Sequence, residues 1–416
     1  MRRLDANDLF NIANGATFLA SGGGGSVKTA YSFIAELLKL NADVELASLN
    51  ELDESQVGCV VGAMGSPESF EKVGLNGAES RAVDAINDNI DSTLSFTIPV
   101  ETGANLFVAM LAAAKKFAQP IMVDADGAGR SVPTLSCLSF SNVVNATPFA
   151  LLNAAHGDQG GGYVAGNLLL NLKDTRATEQ AKIVEMVARP VLATKGSFDG
   201  IAAIAGWHMN GAQANDALIA GCISKALDLG QVLSSERDDK KVIGKLAEFL
   251  TTSCDSPLYN LSASQAPFLL EKIERSSSGG FDYNRMYFKQ GDVKLVVINQ
   301  NENLLVWNTL SPNPMTICPD LICMLGKLDT SLQSEIKDKL SGLNESEVQS
   351  AQLALQGWHG LSVEDLTEGQ EVYLFGVATN NKNPTYVKTF NELAQQFGYF
   401  GPYKPISELL PKEEHQ

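Results

Sequence analysis

Residues 120–130 of the chain read PIMVDADGAGR, and this stretch decides the fold class. The apolar run 121–123 is typical of a strand buried on both faces, and open α/β sheets present ligand-binding groups at the carboxyl ends of such strands. Asp124, Asp126 and Arg130 follow at once, so we predict them as candidate catalytic residues. The alternative is an Asp-Gly turn in which the two acids accept hydrogen bonds from backbone amides and Arg130 pairs with one of them.

Two further strand ends carry polar side chains. The sequence ETGAN begins at Glu101, after an extended piece that ends at residue 100, and Asn105 begins a helical pattern. Ser66 and Glu68 follow the apolar strand 57–64 in the same way. We predict Glu101 as a catalytic residue and the other three as substrate-binding residues, because the carboxyl ends of parallel strands share one edge of a sheet. Helix capping is the structural alternative for Glu101 and Asn105.

A run of four glycines, SGGGGS at residues 21–26, precedes a helical pattern. Backbone amides at a helix amino terminus bind anions, so Gly23, Gly24 and Gly25 are predicted substrate-binding residues. The run differs from a phosphate-binding P-loop because Val27, not glycine, precedes the Lys-Thr pair. We therefore expect no nucleotide cofactor, and a flexible connector between helices is the alternative interpretation.

The length of 416 residues suits two domains. Residues 1–240 alternate between helical and extended patterns, which predicts a three-layer αβα sandwich that carries the site. Residues 260–410 contain short extended pieces, which predict a mainly-β, barrel-like domain with an inserted helical segment near 332–357. A closing helix is expected over residues 214–229, with Gly230 just beyond its end. The predicted fold class is therefore α/β followed by a barrel-like domain.

The composition limits the classes of partner and the cellular compartment that we expect for the protein. A formal net charge of −17 disfavours nucleic acid and anionic membrane surfaces, and favours a small-molecule substrate. The sequence contains neither a signal-peptide pattern nor an apolar run of membrane-spanning length, and its six cysteines are scattered, so we expect a cytoplasmic protein with reduced thiols. Cytoplasmic enzymes of this size often form homo-oligomers, which we also expect here.

A divalent metal is a further possibility, and the sequence does not identify its ligands. The candidates are Asp124, Asp126, His156 and His208, with ordinary hydrogen-bonded histidines as the alternative.

Several segments together resemble the S-methyl-thiohydantoin desulfurase-like family, whose members are often encoded beside hydantoinase and oxoprolinase-type enzymes. In the first half the matching pieces are LASGGGGS at 19–26, VGAMGSPE at 61–68, ETGANL at 101–106 and PIMVDADGAGRSVP at 120–133. In the second half they are SSGGF at 277–281, NENLLVW at 301–307, CPDLI at 318–322 and GYFGPYKPI at 398–406. The resemblance covers nearly the whole chain, and it implies the same two-domain fold.

The resemblance implies hydrolysis at a thiohydantoin- or hydantoin-like five-membered ring, with cleavage of a C–S or C–N bond. Water activated by Glu101, Asp124 or Asp126 fits this chemistry, with Arg130 or loop amides stabilising the developing negative charge. Water activated by a divalent metal is the second route. A non-enzymatic small-molecule-binding or accessory subunit of a hydantoinase-like partner is the alternative function.

Overall fold

A computed structural model describes residues 1–154, 156–157, 163–164, 166–278, 280–381 and 384–410. The chain is a mixed α/β protein with two large sheets. Four strands of the first sheet run parallel to one another, and the remaining strands pair antiparallel. In spatial order its strands are Arg2–Arg3, Glu45–Ala47, Ile121–Val123, Leu94–Pro99, Val57–Gly65, Ile201–Asn210, Phe149–Asn153 and Asn167–Leu170.

The first sheet is buried on both faces. Side chains alternate across a strand, so Val60 and Val61 point to opposite faces, and each joins a different apolar core. One core includes the helices Ala6–Leu19, Val27–Leu40, Ala78–Asn87, Leu106–Lys116 and Cys222–Ser235. The other includes the helices Ala177–Leu192 and Gly211–Ala217. This burial explains why the first-sheet strands are nearly continuous apolar runs.

The second sheet is antiparallel throughout. Its strands, in spatial order, are Pro314–Ile317, Glu302–Asn308, Val293–Gln300, Phe281–Gln290, Phe268–Ser278, Glu371–Val377, Leu321–Gly326 and His359–Gly360, with Leu258–Asn260 also paired to Glu371–Val377. Within the described residues this path is open, so the barrel-like description stays a prediction. The helices Thr330–Lys339 and Glu345–Leu355 lie between the strands Leu321–Gly326 and His359–Gly360.

Shorter elements complete the chain. They are the helices Pro67–Val73, Asp239–Cys254, Pro384–Gln396 and Ile406–Leu409, the 3₁₀ turns Leu49–Glu51, Leu135–Cys137, Ser139–Asn142 and Val363–Asp365, and the two-residue strand pairs Ala125–Asp126 with Ile219–Ala220 and His156–Gly157 with Tyr163–Val164. None of the helices in the described part of the chain has both the length and the apolar character that a membrane span needs.

The predicted closing helix over residues 214–229 is wrong in its bounds. The helix Gly211–Ala217 ends, the two-residue strand Ile219–Ala220 follows, and a second helix runs over Cys222–Ser235. Gly230 lies inside this second helix. The position needs glycine because the backbone of the helix Ala6–Leu19 passes close by: a Cβ on Gly230 would lie 1.8 Å from the carbonyl oxygen of Asn11.

Candidate functional site

Parallel pairing brings three of the predicted strand ends to one edge of the first sheet. The strands Val57–Gly65, Leu94–Pro99 and Ile121–Val123 run in the same direction, so Ser66, Glu101 and Asp124 follow at the same edge. The antiparallel strand Ile201–Asn210 begins there, opposite Gly65. This edge of the sheet faces the second sheet through the segment that carries Asn301 and Glu302.

The four-glycine run packs against that segment of the second sheet. Gly22, Gly24 and Gly25 have positive φ angles of 81°, 65° and 93°. A Cβ on Gly22 would lie 2.3 Å from the Asn303 side chain, and a Cβ on Gly23 would lie 2.5 Å from Glu302 Oε1. The run therefore needs glycine for its backbone conformation and for the close approach of another part of the chain.

The amino terminus of the helix that follows the glycine run is occupied by the protein itself. The backbone amide of Val27 donates to both carboxylate oxygens of Asp365, each at 3.1 Å. Ser26 caps the same helix by accepting a hydrogen bond from the amide of Thr29. These contacts agree with the departure of the glycine run from the phosphate-loop pattern, because a carboxylate of the chain lies where an anion would bind.

A cleft with a volume of about 80 Å³ opens between the glycine run, the sheet edge and the second sheet. Of the predicted site residues, Gly24, Gly25, Glu101 and Asn105 line it. Apolar side chains form most of the remaining wall: Phe33, Met64, Phe70, Val100, Val108, Val132, Leu135, Leu138, Ile201 and Ile204. A largely apolar cleft with a few convergent polar groups is the usual form of a small-molecule site.

Glu101 is held in a fixed orientation at the polar end of the cleft. Asn105 Nδ2 donates to Glu101 Oε1 at 2.8 Å, and the amide of Val132 donates to Oε2 at 2.8 Å. Asn105 is itself fixed, because its side chain accepts from the Ala63 amide and donates to the Ala63 carbonyl. Asn105 thus orients Glu101, and its side chain makes no N-terminal cap to the helix Leu106–Lys116.

A second buried carboxylate, Glu302, lines the same cleft, and sequence reasoning did not predict it. Ser131 Oγ donates to Glu302 Oε1 at 2.8 Å and also lies within hydrogen-bonding reach of Glu101. Glu302 Oε2 is buried and has no hydrogen-bond partner among the described residues. A buried carboxylate oxygen without a hydrogen bond costs folding free energy unless a ligand or a water molecule bonds to it. Glu302 is therefore a candidate ligand-contacting residue.

The two carboxyls carry shifted pKa values. Burial raises the pKa of Glu101 above its ordinary value of 4.5, while the hydrogen bonds from Asn105 and Val132 lower it. Burial also raises the pKa of Glu302, the charge of Glu101 raises it further, and the Ser131 hydrogen bond opposes both effects. Two neighbouring buried carboxyls do not both ionise easily, so the pair retains a proton near neutral pH.

We expect Glu302→Gln to change how stability depends on pH. An acid whose native pKa is raised stabilises the fold fully below its unfolded pKa, near 4.3, and this stabilisation is lost as the pH rises through the native pKa. Gln does not titrate, so the free energy of unfolding of the variant should match that of the wild type near pH 4 and exceed it near pH 9. Each pKa unit corresponds to about 1.4 kcal/mol, so we expect a gain of about 2 kcal/mol or more.

Urea unfolding of both proteins at several pH values measures this difference, and the other titrating groups cancel because both proteins share them. Glu179→Gln is the matched control, since Glu179 is exposed and pairs with Arg176 on the surface. Parallel curves for Glu302→Gln and the wild type would show that Glu302 is ionised like an ordinary surface acid.

Asp124 and Asp126 are both buried, but neither of these two residues lines the cleft. Asp124 Oδ1 accepts from the amides of Ile223 and Ser224, each at 2.9 Å, and thereby caps the helix Cys222–Ser235. Asp126 Oδ1 accepts from the amides two and three residues further on, at 2.8 and 2.6 Å. Burial raises the pKa of Asp126, and its hydrogen bonds oppose that shift. The Asp126 contacts are those of the Asp-Gly turn, the alternative for this stretch. Asp124 instead accepts from amides about 100 residues further along the chain, and Arg130 donates to backbone carbonyls.

Arg130 is also buried, and it points into the second half of the chain. Its Nη1 donates to the Pro319 carbonyl at 2.6 Å, its Nε donates to the Ser131 carbonyl at 2.9 Å, and its guanidinium lies 5.0 Å from the centre of the Phe390 ring. It lines a different cavity, of about 470 Å³, together with Gly221 and Cys222. Its contacts join the two halves of the chain.

We expect Asp124→Ala to cost about 1 to 2 kcal/mol of unfolding free energy, because it removes the acceptor that caps a buried helix. Asp124→Asn retains the acceptor oxygen and should lose less than half of that amount. Both variants should bind cleft ligands as the wild type does, and Asp124→Asn should keep turnover within about twofold. Denaturant unfolding and a ligand titration check this, and abolished turnover in a stable Asp124→Asn protein would return Asp124 to the catalytic residues.

Ser66 and Glu68 lie beside the cleft. Ser66 caps the helix Pro67–Val73, and its hydroxyl also donates to Asp282 Oδ2 at 2.9 Å. Glu68 is exposed, pairs with Lys72, and lines a separate depression. The helix itself contributes Pro67 and Phe70 to the cleft wall, so we call it the roof helix.

The three candidate metal ligands whose side chains are described, Asp124, Asp126 and His208, do not come together. His208 lies near Gly58, at the opposite edge of the first sheet from Asp124 and Asp126. The side chain of His156 lies outside the described residues. In the part of the chain that is described, no three His, Cys, Asp or Glu side chains are grouped so that they would hold a metal ion. The two aspartates already accept amide hydrogens, so Asp124, Asp126 and His208 do not form a metal centre in the part of the chain that is described.

Comparison with known proteins gives two kinds of match. The family model described as "S-Me-THD-like, N-terminal domain" matches residues 7–159, and that described as "S-Me-THD-like, C-terminal domain" matches residues 179–406. A crystal structure of a protein from Chromobacterium violaceum is similar over 97% of this chain and 100% of that chain, with 26% identity and a TM-score of 0.72. None of the curated proteins compared with the chain matches it.

Proposed function

The chain belongs to the S-Me-THD-like family, and from that premise we propose that it is a hydrolase acting on a thiohydantoin- or hydantoin-like ring. The observation that supports this proposal best is the pair of buried carboxyls, Glu101 and Glu302, in one largely apolar cleft. Two acids that share a proton can supply a general base and a general acid at the same pH.

The hydrogen bonds divide the two roles. Glu101 accepts from a side-chain amide and a backbone amide, and both bonds favour its ionised form, so we assign it as the base. Glu302 receives one hydroxyl bond on Oε1 and has no described partner on Oε2. It is therefore the better holder of the shared proton, and we assign it as the acid.

On an S-methyl-thiohydantoin the proposed reaction exchanges the methylthio group for oxygen. Glu101 takes a proton from water as the water oxygen bonds to the ring carbon that carries sulfur. The C–S bond of the resulting adduct then breaks, and the leaving methanethiolate takes a proton from Glu302. The C=N bond forms again as methanethiolate leaves, and the ring hydroxyl then passes its proton to that ring nitrogen, which gives the carbonyl and N–H of the hydantoin. The products are a hydantoin and methanethiol, and the carboxyl pair holds one proton again.

Turnover of an S-methyl-thiohydantoin by the purified protein tests this proposal, with ring absorbance and free thiol measured together. The assay should be run with and without a chelator after metal analysis. Equal release of thiol and hydantoin in both conditions supports the proposed roles of Glu101 and Glu302. Turnover that the chelator abolishes would contradict a route through these two residues alone.

An absence of turnover, with a ligand still bound in the cleft, would favour the accessory-subunit alternative with a hydantoinase-like partner. A cytoplasmic location, a homo-oligomeric state, and the three-layer and barrel-like descriptions of the two sheets also stay proposals.

A further inference from the structure

We infer that the cleft selects an uncharged ligand whose apolar side group packs on Phe33 and Phe70, which makes these two rings specificity-determining residues. The inference rests on the proposed function for the ring that the ligand carries. It goes beyond that function by naming the class of side group and the residues that recognise it.

The two rings form an aromatic wall from separate elements. Phe33 belongs to the helix Val27–Leu40, Phe70 belongs to the roof helix, and their ring centroids are 5.2 Å apart. Both line the cleft together with aliphatic side chains of the first sheet, among them Met64, Ile201 and Ile204. An apolar group placed there gains burial, whereas a charged group there loses its hydration without a partner.

The cleft has no free positive charge for an anionic side group. Of the described residues that line it, Arg189 alone is cationic. Its guanidinium donates to Glu185 through Nε and Nη2, and to the carbonyls of Gly280 and Pro133, at distances from 2.8 to 3.2 Å. It also lies 3.7 Å from the centre of the Phe281 ring. Arg189 is therefore already neutralised and hydrogen-bonded.

The polar end of the cleft disfavours charge of either sign. An anionic group would face Glu101 and Glu302. A cationic group would have to displace the proton that these two buried acids share, since burial raises the pKa of each. Neutral donors and acceptors, such as a ring N–H and carbonyl, can bind the unpartnered Glu302 Oε2 without that cost.

The cleft itself is small. A volume of about 80 Å³ holds several water molecules. A ligand of comparably few heavy atoms would replace them, and most of its surface would be buried, as is usual for small-molecule sites.

Binding of hydantoins that lack the methylthio leaving group tests the inference without turnover. The probes are hydantoin itself and its 5-isobutyl, 5-carboxymethyl and 5-(4-aminobutyl) derivatives, titrated calorimetrically into the full chain. We expect the isobutyl compound to bind at least tenfold more tightly than hydantoin, because its side group buries several methylene equivalents. The carboxymethyl and aminobutyl compounds should bind no more tightly than hydantoin. Equal or tighter binding of either charged compound relative to the isobutyl one would overturn the inference.

Matched variants test whether Phe70 recognises the side group. Phe70 is half-buried on the short roof helix, so Phe70→Ser should fold, and it should reduce the isobutyl preference to about threefold or less. Phe70→Leu keeps an apolar wall and should retain most of the preference. An unchanged preference in folded Phe70→Ser would contradict the role of the aromatic wall.

The outcome separates this inference from the proposed function. Selective binding without turnover of S-methyl-thiohydantoins would support the side-group preference and contradict the enzymatic proposal. Turnover without any preference among side groups would support the enzymatic proposal and contradict the side-group preference.

Discussion

Replacing Glu101 by Gln should lower the turnover of an S-methyl-thiohydantoin by about 10² to 10⁴-fold, the usual contribution of a general base. Gln is isosteric and can still accept from Asn105 or from the Val132 amide, so the cleft should keep its shape. It cannot take a proton from water, so the loss should appear in kcat, with KM nearly unchanged. Steady-state kinetics at several pH values measure both parameters.

Two controls accompany Glu101→Gln. Glu179→Gln changes an exposed glutamate outside the cleft and should leave kinetics unaltered. Ligand binding to the Glu101→Gln protein, measured with a 5-substituted hydantoin, checks that the fold and the cleft survive. A Glu101→Gln protein that binds ligand and keeps more than about a tenth of wild-type turnover would exclude Glu101 as the base, and Glu302 would then be the next residue to test.

One side of the cleft could be predicted from the sequence, because the carboxyl ends of parallel strands lie at the same edge of a sheet. Apolar runs ending at residues 64, 100 and 123 predict parallel strands with a shared edge, and that edge carries Glu101. The rule fixes where the backbone leaves each strand, but it does not fix the direction of each side chain. Asp124 and Asp126 therefore follow the correct strand, yet their carboxylates bind backbone amides beside it.

Glu302 could not be found by the same rule. It begins a strand of the second sheet, and only the packing of that sheet against the glycine run brings it to Glu101. Its signals were present in the sequence: the segment NENLLVW carries the family resemblance, and it places an acid two residues before a continuous apolar run. Glu302 is buried in the structure, and because a buried glutamate is rare, it suggests a functional site.

The helix boundaries around residue 220 show a second limit. An isolated glycine after an apolar periodic pattern predicts the end of a helix. For this reason the sequence predicted Gly230 just beyond a helix. In the structure the glycine is in the helix interior, because another helix lies against it. Local pattern cannot distinguish a glycine that ends a helix from one that admits a neighbouring backbone, since the neighbour comes from 219 residues earlier in the chain, at Asn11.

That close approach leads to the largest stability effect that we expect. Gly15 and Gly230 form the contact between the helices Ala6–Leu19 and Cys222–Ser235: a Cβ on Gly15 would lie 1.8 Å from the Ala226 carbonyl oxygen, and one on Gly230 would lie 1.8 Å from that of Asn11. Backbone atoms cannot rotate away as a side chain can, so the helices must separate. We expect Gly230→Ala to cost about 3 kcal/mol, at the upper end of overpacking, despite the better helix propensity of Ala.

Gly244→Ala is the matched control for Gly230→Ala, because Gly244 is an exposed glycine inside the helix Asp239–Cys254 and a Cβ there would meet nothing within 4 Å. It should be neutral or stabilise the protein by up to about 1 kcal/mol through helix propensity alone. Urea unfolding of both variants gives the comparison. Similar small effects for the two alanines would mean that the two helices lie further apart than this contact requires, whereas opposite signs would establish that Gly230 is there to admit the backbone of Asn11.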